Sequence, residues 1–62
     1  MDVIPKTGSK WRHHTGIEYK VLMVANKANP NGNYPITVIY KGSNGNIWGK
    51  SLYNFLRKMK EI

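Results

Sequence analysis

Sixty-two residues carry ten Lys and Arg against three Asp and Glu, a formal net charge of +7, and no cysteine. A chain this short is one domain that buries about 60% of the surface its unfolded form exposes. With no disulfide or thiolate zinc site to staple it, packing or self-association must hold it, so a homodimer is one physical route to stability. The basic balance attracts polyanions and excludes an acidic mimic of DNA. No apolar run is long enough to cross a bilayer as a helix, and Asp2 and Pro5 break up the start of the chain, which is no secretory leader. A cytoplasmic protein is expected.

Residues 1–8 read as a flexible arm, because Pro5 and Gly8 bracket Lys6 and Thr7 without alternation of apolar and polar positions. Residues 9–62 read as a single small β domain. Its first strand is expected over residues 9–14 and its second over 17–25, where Ile17, Tyr19, Val21, Met23 and Ala25 alternate. Leu22 and Val24 make the end of that strand apolar on both faces, which places it deepest in the fold. The connecting His14-Thr15-Gly16 admits a two- or a three-residue loop, and the hydrophobic pattern favours three, with Gly16 in a left-handed bulged turn. Trp11 then lies opposite Tyr19, and Arg12 opposite Glu18 as a charge pair that removes Arg12 from the free cations.

Residues 26–33, NKANPNGN, are turn formers throughout and read as a surface loop. A third strand follows over residues 34–41, with Pro35 at its start and Ile36, Val38 and Tyr40 on one face. Gly42-Ser43-Asn44-Gly45 returns the chain into a fourth strand, residues 46–50. A two-residue and a four-residue turn there give the same parity: Ile47 joins Ile36, Val38 and Tyr40, and Trp48 lands on the other face beside Ile39 or Lys41. Ser51 can cap a helix whose stripe is Leu52, Phe55, Leu56 and Met59. If that helix ends near Leu56, residues 57–62 form a last edge strand, and this reading is preferred to a longer amphipathic helix. The expected fold is mainly β: a small five-stranded antiparallel SH3-like barrel or meander with a short helical turn before the last strand. Val21, Met23, Val38 and Phe55 are expected in one core.

Chemistry-bearing motifs are sparse. Adjacent His13 and His14, read as strand neighbours, point to opposite faces and cannot share an ion, so no metal or other cofactor is expected. Asp2, Glu18 and Glu61 are too scattered for paired-carboxylate catalysis, and Gly42, Gly45 and Gly49 lack the Lys-Ser/Thr ending of a phosphate loop, so the chain is not expected to be an enzyme. What remains is a basic surface interleaved with aromatics. Lys41, Trp48, Lys50 and Tyr53 gather at the second hairpin and helix junction, with Lys10, Lys20 and Tyr34 nearby, residue types that can stack a base and neutralise its phosphate. Nucleic acid or a nucleotide is the expected partner. The other reading is docking on another protein through an apolar patch or the free edge of residues 57–62.

The pattern Lys10-Trp11-Arg12-His13, Gly16, Tyr19, Val21, then Tyr40, Gly45, Trp48, Leu52 and Phe55, resembles a short bacterial and bacteriophage domain family of unassigned function over residues 8–59. Members usually have Arg-Pro-Leu before the helical turn, where this chain has Gly49-Lys50-Ser51. The resemblance implies a small all-β fold and a phage or prophage origin, hence the host cytoplasm, and it implies no active site.

Overall fold

The computed structural model describes residues 4–28 and 31–62. Five strands, β1 (Lys10–His13), β2 (Glu18–Ala25), β3 (Thr37–Gly42), β4 (Ile47–Ser51) and β5 (Met59–Glu61), are joined by turns and by one helix, α1 (Leu52–Lys58), which precedes β5. They form one open antiparallel sheet in the order β4-β3-β2-β1-β5. Of barrel and meander, the pairing is that of the meander. The helix carries the chain from one edge of the sheet to the other, where β5 pairs with β1. No helix among the described residues is long and apolar enough to cross a membrane.

Both hairpins of the meander use the same turn. In the first, the His13 N–H donates to Ile17 O (2.8 Å) and the Gly16 N–H to His13 O (2.8 Å), with Gly16 at φ +96°. The three-residue loop sets Trp11 opposite Tyr19 and Arg12 opposite Glu18, as expected, and the Arg12 guanidinium reaches Glu18 at 3.2 Å. In the second, the Gly42 N–H donates to Asn46 O (2.9 Å) and the Gly45 N–H to Gly42 O (3.0 Å), with Gly45 at φ +89°. Here the expected parity is overturned. Three loop residues in place of two or four shift the register by one, so Tyr40 faces Trp48 and Lys41 faces Ile47. Trp48 therefore shares a face with Val38 and Tyr40, while Ile47 joins Lys41 on the other face and is 62% exposed.

A second parity change sits in β2. Val21 pairs with Tyr40 but Met23 pairs with Ile39, so Leu22 is the extra residue of a β-bulge. Met23, expected in the core, is turned to the outer face and is 56% exposed; Val24 takes its place against the core. The end of β2 is consequently not the deepest part of the fold. Within β2 the most buried position is Val21, which is fully buried, ahead of the bulge.

The core lies between the inner face of the sheet and α1, and comprises Trp11, Val21, Val38, Tyr40, Leu52, Phe55 and Met59. Phe55 is fully buried at its centre, 5.1 Å from the Trp11 ring and 5.3 Å from Tyr40, centroid to centroid. Ser51 caps α1 as expected, its Oγ accepting the Asn54 N–H at 3.3 Å. The helix runs two residues past Leu56 and stops where the Met59 N–H caps Phe55 O. The last strand then begins at Met59, whose side chain completes the stripe of Leu52, Phe55 and Leu56. Within the expected arm, residues 1–3 lie outside the described residues. Pro5 is buried, the Gly8 N–H donates to Val21 O (2.8 Å) and Ser9 Oγ accepts the Trp11 indole N–H (2.9 Å), so this part of the arm seals the core beside β2. In the loop before β3, residues 29–30 are likewise outside the described residues. Around them, Asn31 Oδ1 accepts the N–H groups of Asn33 and Tyr34, and strand pairing starts only at Thr37.

Candidate anion-binding surfaces

The outer face of the sheet is built by alternation away from the core. Lys10 on β1 pairs directly with Lys20 on β2, and Lys20 pairs directly with Lys41 on β3. All three are exposed. With neighbouring strands about 4.8 Å apart, three ammonium-bearing positions cross the sheet in one row within roughly 10 Å. Like charges directly opposite one another destabilise a sheet, so the row is a local cost to the fold that an anion would relieve. The next row holds Lys60, Arg12 and Glu18 side by side, and Arg12 already bridges Glu18. A shallow concavity of about 270 Å³ runs along the lysine row, bounded also by Tyr19, Gly42, Ser43 and Glu18, whose carboxylate is engaged by Arg12.

Trp48 and Lys50 alternate onto the opposite, inner face. Because β4 is the edge of the sheet, the helix does not reach across all of it, and Trp48 remains 48% exposed. With Ile17, Tyr19, Gly42, Ser43 and Asn44 it lines a notch of about 160 Å³. Gly42 keeps the notch open, since a Cβ there would stand 3.1 Å from Tyr19 Cε1.

The residues anticipated as one platform are thus divided. Lys10, Lys20 and Lys41 come together on the outer face; Trp48 and Lys50 lie on the other side, meeting the lysine concavity only across the end of the sheet at Tyr19, Gly42 and Ser43. Tyr53 stands alone on α1, 69% exposed, with the Arg57 guanidinium 5.5 Å above its ring. Tyr34 is 70% exposed in the loop before β3 and lines neither concavity.

A larger cleft, about 540 Å³, was not anticipated. The β1–β2 turn, the end of α1 and β5 enclose it, and its lining includes Arg12, His13, His14, Arg57, Lys58 and Lys60, with Glu61 as its carboxylate. The signal lay in two short basic clusters, Arg-His-His at residues 12–14 and Arg-Lys-Met-Lys at 57–60, which only the β1–β5 pairing brings together. The two histidines also differ from expectation. His14 is a turn residue, not a strand neighbour, so its ring lies against that of His13 with centroids 4.1 Å apart. A metal ion would still lack further ligands, because no group of three His, Cys, Asp or Glu gathers among the described residues. His13 Nδ1 accepts the Thr15 N–H (3.2 Å) and lies 2.8 Å from the Thr15 hydroxyl. In the neutral ring the proton therefore resides on Nε2. Partial burial, and then the positive neighbours His14, Lys50 and Lys58, hold the pKa of His13 below its ordinary value of 6.5.

Compared with protein-family models, with curated proteins and with solved structures, the chain matches none.

Proposed function

We propose that this chain is a small, non-catalytic module that binds the phosphate backbone of nucleic acid on the outer face of its sheet, with Lys10, Lys20 and Lys41 as the contacts. The observation that supports this most directly is their register: three lysines paired opposite one another across adjacent strands. Strand pairing alone disfavours that arrangement, and a row of phosphates compensates it. Phosphate contacts position a strand without reading its sequence. A single strand has a further foothold, because a base reaching over the end of the sheet at Gly42 meets the exposed Trp48 ring, with Lys50 two residues along on the same face. The resemblance to a phage and bacterial domain family is compatible with such a module acting in a host cytoplasm.

Fluorescence anisotropy of a labelled oligonucleotide over a salt series tests the proposal. Binding should weaken steeply with salt. Replacing Lys10, Lys20 and Lys41 together with Gln should weaken it further and flatten the salt slope by about 2, at roughly 0.7 for each single-strand phosphate that is no longer neutralised. Trp48→Ala should lower affinity for single strands while leaving duplex binding nearly unchanged. Absence of binding at low salt would overturn the proposal and favour the second reading, a phage-encoded inhibitor docking on a host protein. That reading is supported by the two sheet edges, β4 and β5, and by exposed Ile47 and Ile62 beside them. A packed protein interface would tolerate salt.

A further inference from the structure

The cleft formed by the end of β1, the β1–β2 turn, α1 and β5 gathers basic side chains from all four, and the helix alone does not account for them. Arg57 and Lys58 occupy the last turn of α1, where the negative end of the helix dipole favours positive charge. His13, His14 and Lys60 come from strands and a turn, where no such field requires them, and Arg12, already bridged to Glu18, stands directly opposite Lys60. The cleft is also held by backbone, because the His14 N–H donates to Lys58 O at 3.1 Å and fixes the turn to the end of the helix. Its histidine is prepared as a donor. Thr15 occupies Nδ1 and leaves Nε2–H as the outward group of the neutral His13 ring. One carboxylate, Glu61, lines the cleft against these groups, and Glu18 engages Arg12 from outside it.

We infer that this cleft binds the dianion of a phosphate monoester, at a site separate from the lysine row. A tetrahedral dianion offers several acceptor oxygens to guanidinium, ammonium and imidazole donors converging from different directions, and charge-assisted bonds of this kind are the strong ones. At about 540 Å³ the cleft exceeds a phosphate alone and lies in the size range of small-ligand sites, so the ester substituent has room. Half-buried Leu56 supplies an apolar wall for it. Burial is the first cause that depresses the pKa of His13 and is left in place by a ligand; a bound dianion offsets the causes that follow it, the positive charges of His14, Lys50 and Lys58, and so raises the pKa. Arg12, Arg57, Lys60 and Glu61 are the other charged groups that face the same space.

The two histidines provide the test, since the chain has no others. Inorganic phosphate is titrated into the full chain at constant ionic strength set with chloride, and the imidazole C–H resonances are followed by proton NMR. Saturable shifts of both rings are expected, together with an upward move of the His13 titration midpoint. A variant carrying Arg57→Gln and Lys58→Gln, both exposed positions, should bind phosphate about tenfold more weakly, as should His14→Gln. One carrying Lys27→Gln, an exposed position that lines neither surface, should bind it unchanged. Oligonucleotides with a 5′-phosphate or a 5′-hydroxyl distinguish the source: a preference for the phosphorylated end that Arg57→Gln with Lys58→Gln removes assigns the cleft to a nucleic-acid terminus, and equal affinity assigns it to a small monoester. Imidazole signals that move no more with phosphate than with chloride overturn the inference, and so does a phosphate response that disappears with the lysine-row variant and survives the cleft variants.

Discussion

The turn at residues 14–16 and the turn at residues 43–45 are the same piece of backbone, with the same two hydrogen bonds and a left-handed glycine in third place. Each sets a Trp–Tyr pair at the same distance from the loop: Trp11 opposite Tyr19 in the first hairpin, Tyr40 opposite Trp48 in the second. The two tryptophans nevertheless have different fates. Trp11 is 5% exposed and Trp48 is 48% exposed. Trp11 stands on β1, an interior strand flanked by β2 and β5, and its ring meets Phe55 edge-on. Trp48 stands on β4, with a neighbour on one side only. Identical local geometry thus yields a core residue or a surface residue according to what the distant chain end covers.

The largest expected effect follows from the covered member of the pair. Trp11→Ala should cost about 3–5 kcal/mol, against a total stability of roughly 3–9 kcal/mol for a chain of this length. The variant should be largely unfolded, and a urea transition that keeps its midpoint would show that burial on β1 does not hold the fold.

Trp48→Ala should be milder, about 1–2 kcal/mol, because half of the side chain is already in water. A loss equal to that of Trp11→Ala would abolish the distinction between interior and edge, and with it the use of Trp48 as a stacking ring.

The two glycines should be equivalent. No atom lies within 4 Å of a Cβ built at Gly16 or at Gly45, so Gly16→Ala and Gly45→Ala carry backbone strain alone, about 1 kcal/mol each by urea denaturation. A difference of more than about twofold between them would mean that the turns are energetically distinct despite their shared geometry.

The smallest effect separates the turns by pH. His13 closes the first and Gly42 the second. The folded-state pKa of His13 lies below 6.5, so the unfolded chain binds more protons as the pH falls. The stabilisation is complete above 6.5 and is lost as pH drops through the depressed value. Urea midpoints between about pH 8 and pH 5 should fall on the acid side, and His13→Gln should remove part of that slope. An unchanged slope would show that His13 is not held neutral by its surroundings.

What the sequence determined by itself was local. Alternation marked the second and third strands, turn formers bounded the first and fourth, Ser51 marked the helix start, the spacing of Leu52, Phe55, Leu56 and Met59 marked the buried stripe, and Gly16 marked the first turn; each depends on residues within a few positions of one another. Two single-residue events defeated the reading of faces. Leu22 is one more apolar residue in an apolar run, so nothing in β2 distinguishes a bulge from continued alternation, yet the bulge sends Met23 outward. The second loop holds three residues where two or four were expected, and that single residue moves Trp48 from the side of Lys41 to the side of Tyr40. Parity in a strand has a period of two, so an error of one residue inverts every side chain beyond it. The surfaces depended on still longer pairings. Lys10, Lys20 and Lys41 lie in one row only because three strands share a register, and the basic cleft exists only because α1 crosses the sheet to set Lys58 against His14 and β5 against β1. The tertiary structure alone decided those, because no property of either segment encodes its distance from the other until the core around Phe55 has closed.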